Sequence, residues 1–244
     1  MADVNKIIKK IEQFAPLDTM QKWDNSGWQI NLGHKETNKI MVTLDVTPAV
    51  VDEAIKKKCD MIISHHPVFF TPIKSISSPF IVKAIKNDIQ IYSAHTNLDI
   101  AQGGVSEYLA EKCGINELDT AFEFIKYKQF NKEKNFSKLV SSLKTTFCLP
   151  SIRVVNSKRK TYKSIAFCSG SGAEFIHDLE KIGIDVFVTG DLKHHQALSA
   201  NNMTIIDLGH FHSEKFVVEI FEKILKNEDV EIVCASEKPA WELI

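Results

Sequence analysis

The sequence lacks the features by which several protein classes are recognised. No apolar run approaches the roughly 18 residues that a membrane-spanning helix needs. The first residues become polar too early for the apolar core of a secretory signal peptide. The 30 basic and 31 acidic residues leave a formal net charge of −1. We therefore expect no membrane partner, and the overall charge disfavours nucleic acid as a partner.

Cysteines are few, and they are scattered without any C-x-x-C pair: Cys59, Cys113, Cys148, Cys168 and Cys234. An odd, dispersed set fits a reducing compartment and argues against a disulfide framework or a zinc ribbon. The 244 residues are 44% hydrophobic and 25% charged, which is ordinary for a globular chain that folds without disulfides or structural metals. The composition thus predicts a soluble cytoplasmic protein.

Apolar periodicity predicts strands that alternate with helices along the chain. Helices are expected near 3–14, 48–58, 79–87, 104–113, 135–146, 173–182, 193–201 and 212–226. Strands are expected near 39–45, 60–64, 89–94, 151–155, 163–168, 184–189, 203–208 and 230–235. Such alternation predicts an α/β fold of two linked α/β lobes, with mainly parallel sheets flanked by helices. The weak pattern over 115–134 puts the boundary there, which gives lobes 1–120 and 121–244.

Seven of the nine histidines fall in four segments, each just after a predicted strand. The segments are His65-His66, His95, His194-His195, and His210 with His212. Ligands of open parallel sheets bind beyond the carboxyl ends of the strands, so these segments are candidates for one shared site. Acidic residues accompany three of them, and imidazole with carboxylate is a typical donor set for divalent transition metals.

Each of these segments also has a purely structural interpretation. Neighbouring side chains on an extended segment point in opposite directions, so His65-His66 could serve two adjacent ions, or could be a loop pair without partners. Asp99 could ligate a cation or cap the following helix. His210 and Glu214 share one helical face and could bind a metal, although a first-turn glutamate is also favoured by the helix dipole.

Two loops suggest contacts with a substrate. In the segment 189–195, Gly190, Asp191, His194 and His195 could line a substrate pocket or supply acid–base groups. A loop in which Asp191 is only a helix N-cap explains part of the pattern without chemistry. The segment Ser169-Gly-Ser-Gly172 exposes backbone N–H groups that suit a phosphate. It matches no nucleotide-binding motif, and an ordinary strand-to-helix turn explains it equally well.

Six motifs in order along the chain carry a family resemblance. They are Trp23-Asp-Asn-Ser-Gly27, Leu44-Asp-Val-Thr47, Ile63-Ser-His-His-Pro-Val-Phe69, Ser93-Ala-His-Thr-Asn-Leu-Asp99, Thr189-Gly-Asp191 and Asp207-Leu-Gly-His-Phe-His-Ser-Glu214. With them the sequence resembles the Nif-three-like dinuclear-metal proteins, also called the GTP cyclohydrolase I type 2 family. The resemblance implies that His65, His66, Asp99, His210 and Glu214 ligate two divalent cations. It also implies two linked α/β lobes and a ring-shaped homohexamer, and it gives His212 no role.

The resemblance suggests a metal-dependent hydrolase that opens the guanine imidazole ring of GTP. Formate is released on the way to dihydroneopterin triphosphate. The mixed ligands suit zinc, iron, manganese or cobalt better than calcium. We assign proton transfer to His95 or His195. Contacts with the triphosphate are assigned to Lys193 and to the loop residues Ser169, Gly170 and Gly172.

Two other functions remain open at this point. The same two-metal chemistry hydrolyses phosphoesters, so the chain could be a metal-dependent phosphoesterase or nucleotide hydrolase. It could also be a metal-stabilised regulatory ring without catalytic activity that binds another protein. Turnover that needs a metal separates the enzymes from the binding protein, and formate release separates the cyclohydrolase from the phosphoesterase.

Overall fold

A computed structural model describes residues 1–71 and 73–241 of the chain. Tertiary contacts divide it into two compact units, the first Met1–Gly104 with Val217–Ile244 and the second Val105–Phe216. This division differs from the predicted lobes 1–120 and 121–244. Residues 242–244 of the second predicted lobe lie outside the described part of the chain. The difference arises because the chain returns after Phe216 to complete the sheet of the first unit.

The elements alternate much as the periodicity predicts. Those before Gly104 are β1 (Ala2–Asp3), α1 (Val4–Phe14), β2 (Gly27–Ile30), β3 (Glu36–Thr37), β4 (Lys39–Thr43), α2 (Pro48–Lys57), β5 (Met61–Ser64), α3 (Pro79–Lys86), β6 (Gln90–Ser93) and α4 (Thr96–Ile100). The second unit contains α5 (Val105–Lys112), β7 (Asp119–Phe122), β8 (Ile125–Asn135), α6 (Phe136–Thr146), β9 (Arg153–Val155), β10 (Thr161–Phe167), α7 (Ile176–Lys181), β11 (Val186–Thr189), α8 (His194–Ser199), β12 (Thr204–Asp207) and α9 (His210–Glu214). The returning segment forms α10 (Val217–Leu225) and β13 (Glu231–Cys234).

The five-stranded sheet of the first unit has the order β13-β4-β5-β6-β2 and is mainly parallel. Only β2, at one edge, is antiparallel to its neighbour. Every residue of β5 and β6 is buried, as expected for parallel strands covered on both faces. Ser64 pairs with Ser93 at the ends of these strands. The residues that follow them, His65 and Ala94, therefore meet at the carboxyl edge of the sheet.

The six-stranded sheet of the second unit has the order β7-β8-β10-β11-β12-β9 and is mixed. Its central strands β10, β11 and β12 are parallel, whereas β7, β8 and β9 pair antiparallel. The α/β class is confirmed, but this sheet is not mainly parallel. The reason is β8, which lies where the sequence suggests a boundary and joins β7 as a hairpin without a crossover helix.

Each unit has its own apolar core. In the first unit a core that includes Met41, Ile62 and Ile91 is built from the sheet and the helices α2 and α3. In the second unit alternate residues of β10 and β11 face two different clusters, one around Phe167 and one around Phe187. In the described part of the chain, no helix has both the length and the apolar character to cross a membrane.

Candidate metal centre

In the first unit, His65 is placed at the end of β5 with its ring completely buried. Its Nδ1 atom lies 2.8 Å from the carbonyl oxygen of Ala94. A carbonyl oxygen only accepts hydrogen bonds, so Nδ1 carries the proton and Nε2 carries the lone pair. An Asp99 carboxylate oxygen lies 3.5 Å from this Nε2. His65 is therefore held in the tautomer that a metal ligand needs.

His66 is oriented in the same way by a carboxylate. Its Nδ1 atom lies 2.7 Å from Oδ1 of Asp45, in the loop after β4. The chain bends at both histidines, and their rings are only 5.1 Å apart. This differs from the expectation that the two side chains point in opposite directions, which holds only for extended residues. Each of His65, His66 and His95 offers one nitrogen, and these atoms lie within 4.8 Å of one another.

His95, after β6, completes this cluster of imidazoles. Its Nδ1 atom lies 2.8 Å from Oδ1 of the buried Asp24. Burial raises the pKa of Asp24, but hydrogen bonds from His95, Thr96 and Ser26 outweigh it and hold the pKa well below its usual range. Asp24 is therefore ionised at neutral pH, and His95 donates its Nδ1 proton to it.

Asp99 lies within α4, whose N-cap is His95. The following helix, α5, begins at Val105, six positions after Asp99, so Asp99 does not occupy its N-cap position. Its side chain is buried, and its backbone N–H donates to the carbonyl of His95 at 3.0 Å. A buried carboxylate 3.5 Å from an imidazole nitrogen is a typical oxygen donor for a divalent cation, so Asp99 suits a ligand role.

In the second unit, α9 carries His210 and Glu214 on one face, as their spacing predicts. Nε2 of His210 lies 2.9 Å from Oε2 of the buried Glu214. Nδ1 of His210 lies 2.9 Å from Oδ2 of Asp191. Asp191 is thus a partner of His210 and not a helix cap, because the N-cap of α8 is Lys193.

The segment Ser169–Gly172 packs against α9. A Cβ atom added to Gly170 would lie 2.3 Å from Oε1 of Glu214, so any side chain there would force the Glu214 carboxylate to move. The N–H groups of Ser169, Gly170 and Gly172 donate to the hydroxyls of three other residues, at 3.1, 3.0 and 2.9 Å. These acceptors are Ser106, Ser213 and Thr189. The loop therefore uses these groups to support the fold, and its phosphate-binding role stays a prediction.

The other predicted site residues belong to none of the candidate ligand groups found in the described part of the chain. Lys193, His194 and His195 are exposed at the start of α8. His212 belongs to none of the candidate ligand groups among the described residues. Burial lowers the pKa of His212, and the neighbouring Lys215 lowers it further. The roles of Lys193 and His195 stay predictions.

The imidazole and carboxylate donors found in both units are the kind that suits divalent transition metals. His65, His66 and His210 have Nδ1 beside an oxygen acceptor, which leaves Nε2 as the ligating atom. His95 has the same arrangement with Asp24, so its Nε2 carries a lone pair that can take a proton. Asp45, Asp24 and Asp191 orient the rings of His66, His95 and His210. Reasoning from the sequence assigned no role to Asp24 or Asp45, and it did not identify Asp191 as a partner of His210. Each of these aspartates lies in a motif quoted for the resemblance, so an acidic residue inside such a motif is the signal that could have identified them.

Comparisons with known proteins give one consistent result. The family model Duf34/NIF3 (NGG1p interacting factor 3) matches residues 2–240. The "GTP cyclohydrolase 1 type 2 homolog" of Clostridium perfringens is 31% identical over 260 residues, which cover 99% of each chain. Among solved structures, a Bacillus cereus protein related to NIF3 shares the fold, with a TM-score of 0.88, 22% identity and 99% of each chain covered. Reduced HcgD from Methanocaldococcus jannaschii gives a TM-score of 0.85 at 28% identity, covering 96% of this chain and 98% of HcgD.

Proposed function

Because this chain belongs to the Duf34/NIF3 family, we propose that it is a dinuclear metal-dependent hydrolase of the GTP cyclohydrolase I type 2 kind. His65, His66, Asp99, His210 and Glu214 bind two divalent cations, which are zinc, iron, manganese or cobalt. The name of the Clostridium perfringens relative supports the activity. Resemblance to the family further suggests a homohexamer, with a particle mass six times the 27.6 kDa of the chain. We also propose a cytoplasmic location.

The observation that carries this proposal is the common orientation of the histidines. Nδ1 of His65, His66 and His210 lies 2.7 to 2.9 Å from an oxygen acceptor in each case. Such partners fix the tautomer and raise the basicity of the ligating nitrogen in metal sites. Histidines that serve only packing have no need of this repeated arrangement.

When bound, two divalent cations lower the pKa of water toward neutrality and polarise the substrate. The protein's own groups supply the proton transfers. The Asp24 carboxylate holds Nδ1–H of His95, which leaves its Nε2 to accept a proton and then stabilises the resulting imidazolium. We assign proton transfer to His95 first, with the exposed His195 as a second candidate.

Two exposed aromatic side chains beside His95 favour a substrate with a flat ring. Trp23 is 62% exposed and Phe70 is 49% exposed, and their rings lie 5.9 and 5.6 Å from the ring of His95. Aromatic faces left open to solvent beside a cluster of polar groups suit stacking with a purine. In the proposed reaction one water is consumed per GTP, C8 leaves as formate, and dihydroneopterin triphosphate is the product. Lys193 is our candidate for the triphosphate.

The test is elemental analysis of the purified chain, followed by incubation of the same sample with GTP. We expect about two metals per chain and formate release. His66→Ala should lose metal and turnover, whereas the matched control His177→Ala, at an exposed position on α7, should keep both. Phosphate release without formate would indicate a phosphoesterase. Two metals without turnover of any nucleotide would indicate a binding protein, and no metal after reconstitution would refute the centre.

A further inference from the structure

We propose that one surface of the second unit binds nucleic acid through the phosphate backbone. The first observation is a segregation of charge along the sequence. Residues 124–163 contain 11 of the 30 basic residues but only one of the 31 acidic ones, Glu133. This stretch has a net charge of +10 and the rest of the chain −11, so the overall charge of −1 conceals a strongly basic region.

The fold brings five of these lysines together, and we call them the basic surface: Lys132, Lys134, Lys138, Lys158 and Lys160. Strand β8 pairs with β10 so that Lys134 lies opposite Tyr162 and Asn135 opposite Thr161. The N–H of Phe136, the first residue of α6, donates to the carbonyl of Lys160 at 3.0 Å. The end of β8, the first turn of α6 and the loop before β10 therefore meet at this surface.

The lysines of the basic surface are accessible to a ligand, and the ammonium group of Lys134 lies over the Phe130 ring, 5.0 Å from its centroid. All five are exposed, and none forms an ion pair within residues 1–71 and 73–241. Other basic residues of the same stretch are engaged, for example Lys128 with Glu117 at 3.2 Å and Arg159 with Asp185 at 2.9 Å. Clustered like charges repel one another and cost stability. A polyanionic partner would remove that cost.

A polar groove adjoins the lysines. It has a volume of about 700 Å³, and Lys158 and Lys160 contribute to its lining. Its other lining residues carry amide, hydroxyl or guanidinium groups, and none is acidic: Asn156, Ser157, Arg159, Thr161, Asn201, Asn202 and Thr204. Asn156, Arg159 and Thr204 donate hydrogen bonds within the protein. We therefore assign the contacts with phosphate and sugar oxygens to the two lysines and to the hydroxyls of Ser157 and Thr161. The first turn of α6 adds the positive end of an 11-residue helix.

Nucleic acid fits this surface better than a lipid membrane or an acidic protein. The large hydrophobic side chains that are exposed in the described chain include Trp23, Ile182 and Trp241, and none of them lies in 124–163. Protein interfaces are centred on apolar and aromatic anchors, and membrane binding needs side chains that insert into the bilayer. Interfaces with nucleic acid are more polar and much more positively charged. Contact with phosphates alone predicts binding that depends little on base sequence.

The experiment is fluorescence anisotropy of labelled 20-nucleotide single-stranded RNA and DNA, and of a DNA duplex, with the full chain at 50 to 200 mM KCl. Five lysine–phosphate contacts give a slope of log K against log salt of about −3.5 for single strands and −4.5 for duplex. A triple variant, Lys134→Glu, Lys158→Glu and Lys160→Glu, should bind about tenfold or more weakly and with a smaller slope.

The matched control is Lys9→Glu, Lys56→Glu and Lys86→Glu in the first unit, which changes the net charge equally at exposed positions. It should bind nucleic acid as tightly as the unmodified chain. Equal weakening by both triple variants would overturn the proposal, because total charge would then explain the binding. Polyglutamate or anionic lipid vesicles that compete as well as RNA at equal charge would overturn it too. Metal content should be the same in all three proteins, so this test is independent of the hydrolase proposal.

Discussion

At the scale of single residues, the aspartates that contact Nδ1 of His66, His95 and His210 are as informative as the histidines themselves. Asp45 places its carboxylate 2.7 Å from Nδ1 of His66 and so fixes which nitrogen faces outward. Loss of such an outer partner usually lowers metal affinity 10- to 100-fold. For Asp45→Ala we expect an affinity loss of about that size, measured by competition with a chromogenic chelator.

A control separates this effect from a general loss of surface charge. Asp52→Ala removes an exposed aspartate whose ion pair with Lys83 on α3 contributes little to stability. We expect no change in metal affinity for this variant. If Asp45→Ala bound metal as tightly as the unmodified chain, the orienting role assigned to Asp45 would be wrong.

Gly170 is the second residue whose role follows from its immediate surroundings. Its φ of +63° is unfavourable for other residues, and an added Cβ would meet the Glu214 carboxylate at 2.3 Å. Gly170→Ala should therefore displace Glu214 and lower the metal content. Gly114→Ala is the matched control, because Gly114 has a φ of +75° with nothing within 4 Å of the added atom. It should cost about 1 kcal/mol of stability and leave the metal content unchanged. Equal metal content in both variants would contradict the packing argument.

At the scale of secondary structure elements, Glu180 of α7 holds the loop that leads into β12. Its Oε1 atom accepts the N–H groups of Asn201, Asn202 and Met203 at 2.7, 2.9 and 3.2 Å. Burial raises the pKa of Glu180, but these hydrogen bonds outweigh it and lower the pKa below its ordinary value of 4.5. A lowered pKa in the folded state means that the carboxylate stabilises the fold above about pH 4.5. That contribution is lost as the pH falls through the folded pKa.

For Glu180→Gln we accordingly expect a loss of about 1 kcal/mol in the free energy of unfolding at pH 7, after allowance for solvent screening. The difference from the unmodified chain should shrink as the pH falls below 4. Urea unfolding across this pH range measures both quantities. The control Glu174→Gln, at an exposed position before α7, should leave the free energy of unfolding unchanged at every pH. A difference that stayed constant with pH would show that the charge of Glu180 is not what matters.

The sequence predicts elements well where one local signal is strong. Strands β5 and β6 have apolar centres, Ile62-Ile63 and Ile91-Tyr92. Helix α2 has Thr47 as its N-cap, and the Thr47 side chain accepts the N–H of Val50 at 3.2 Å. In contrast, β8 is rich in lysine and half exposed, so nothing in its composition marks the 11-residue strand that pairs with β10. The predicted helix 212–226 is divided into α9 and α10, at the point where the chain passes from the second unit back to the first.

The candidate site shows the same limit. Histidines and carboxylates after strands are visible in the sequence, because the carboxyl ends of parallel strands share one edge. The partners that orient them are not visible, since Asp24 and His95 are 71 positions apart and no local spacing connects them. The Ser169–Gly172 loop illustrates the converse, because its glycines suggest a phosphate, yet its N–H groups serve internal hydroxyls.

At the scale of the whole molecule, the distribution of charge matters more than its sum. The net charge of −1 disfavours nucleic acid as a partner only if the charges are mixed evenly. They are not, because residues 124–163 alone carry +10. The fold then gathers five of the lysines at one end of β8 and β10. The net charge therefore describes only the sum over the whole chain, whereas nucleic-acid binding depends on the charge of the local surface.

The whole molecule should also keep its fold when its metals are removed. Each unit has an apolar core of its own, with fully buried residues such as Ile62 in the first and Phe167 in the second. Small zinc domains without such cores unfold on chelation, but a chain of this size does not depend on a metal to fold. After treatment with a chelator we expect an unchanged far-ultraviolet circular dichroism spectrum together with the loss of turnover.

The melting temperature should nevertheless fall, because a metal that binds only the folded state stabilises it by about 2.7 kcal/mol when its free concentration is 100 times Kd. Differential scanning calorimetry with and without added metal measures this shift. In His66→Ala the shift should be smaller than in the unmodified chain, and in His177→Ala it should be unchanged. Unfolding of the chelated protein would mean that the metals hold the fold together. The two apolar cores would then be insufficient to stabilise the fold by themselves. The main role of the metals would be structural.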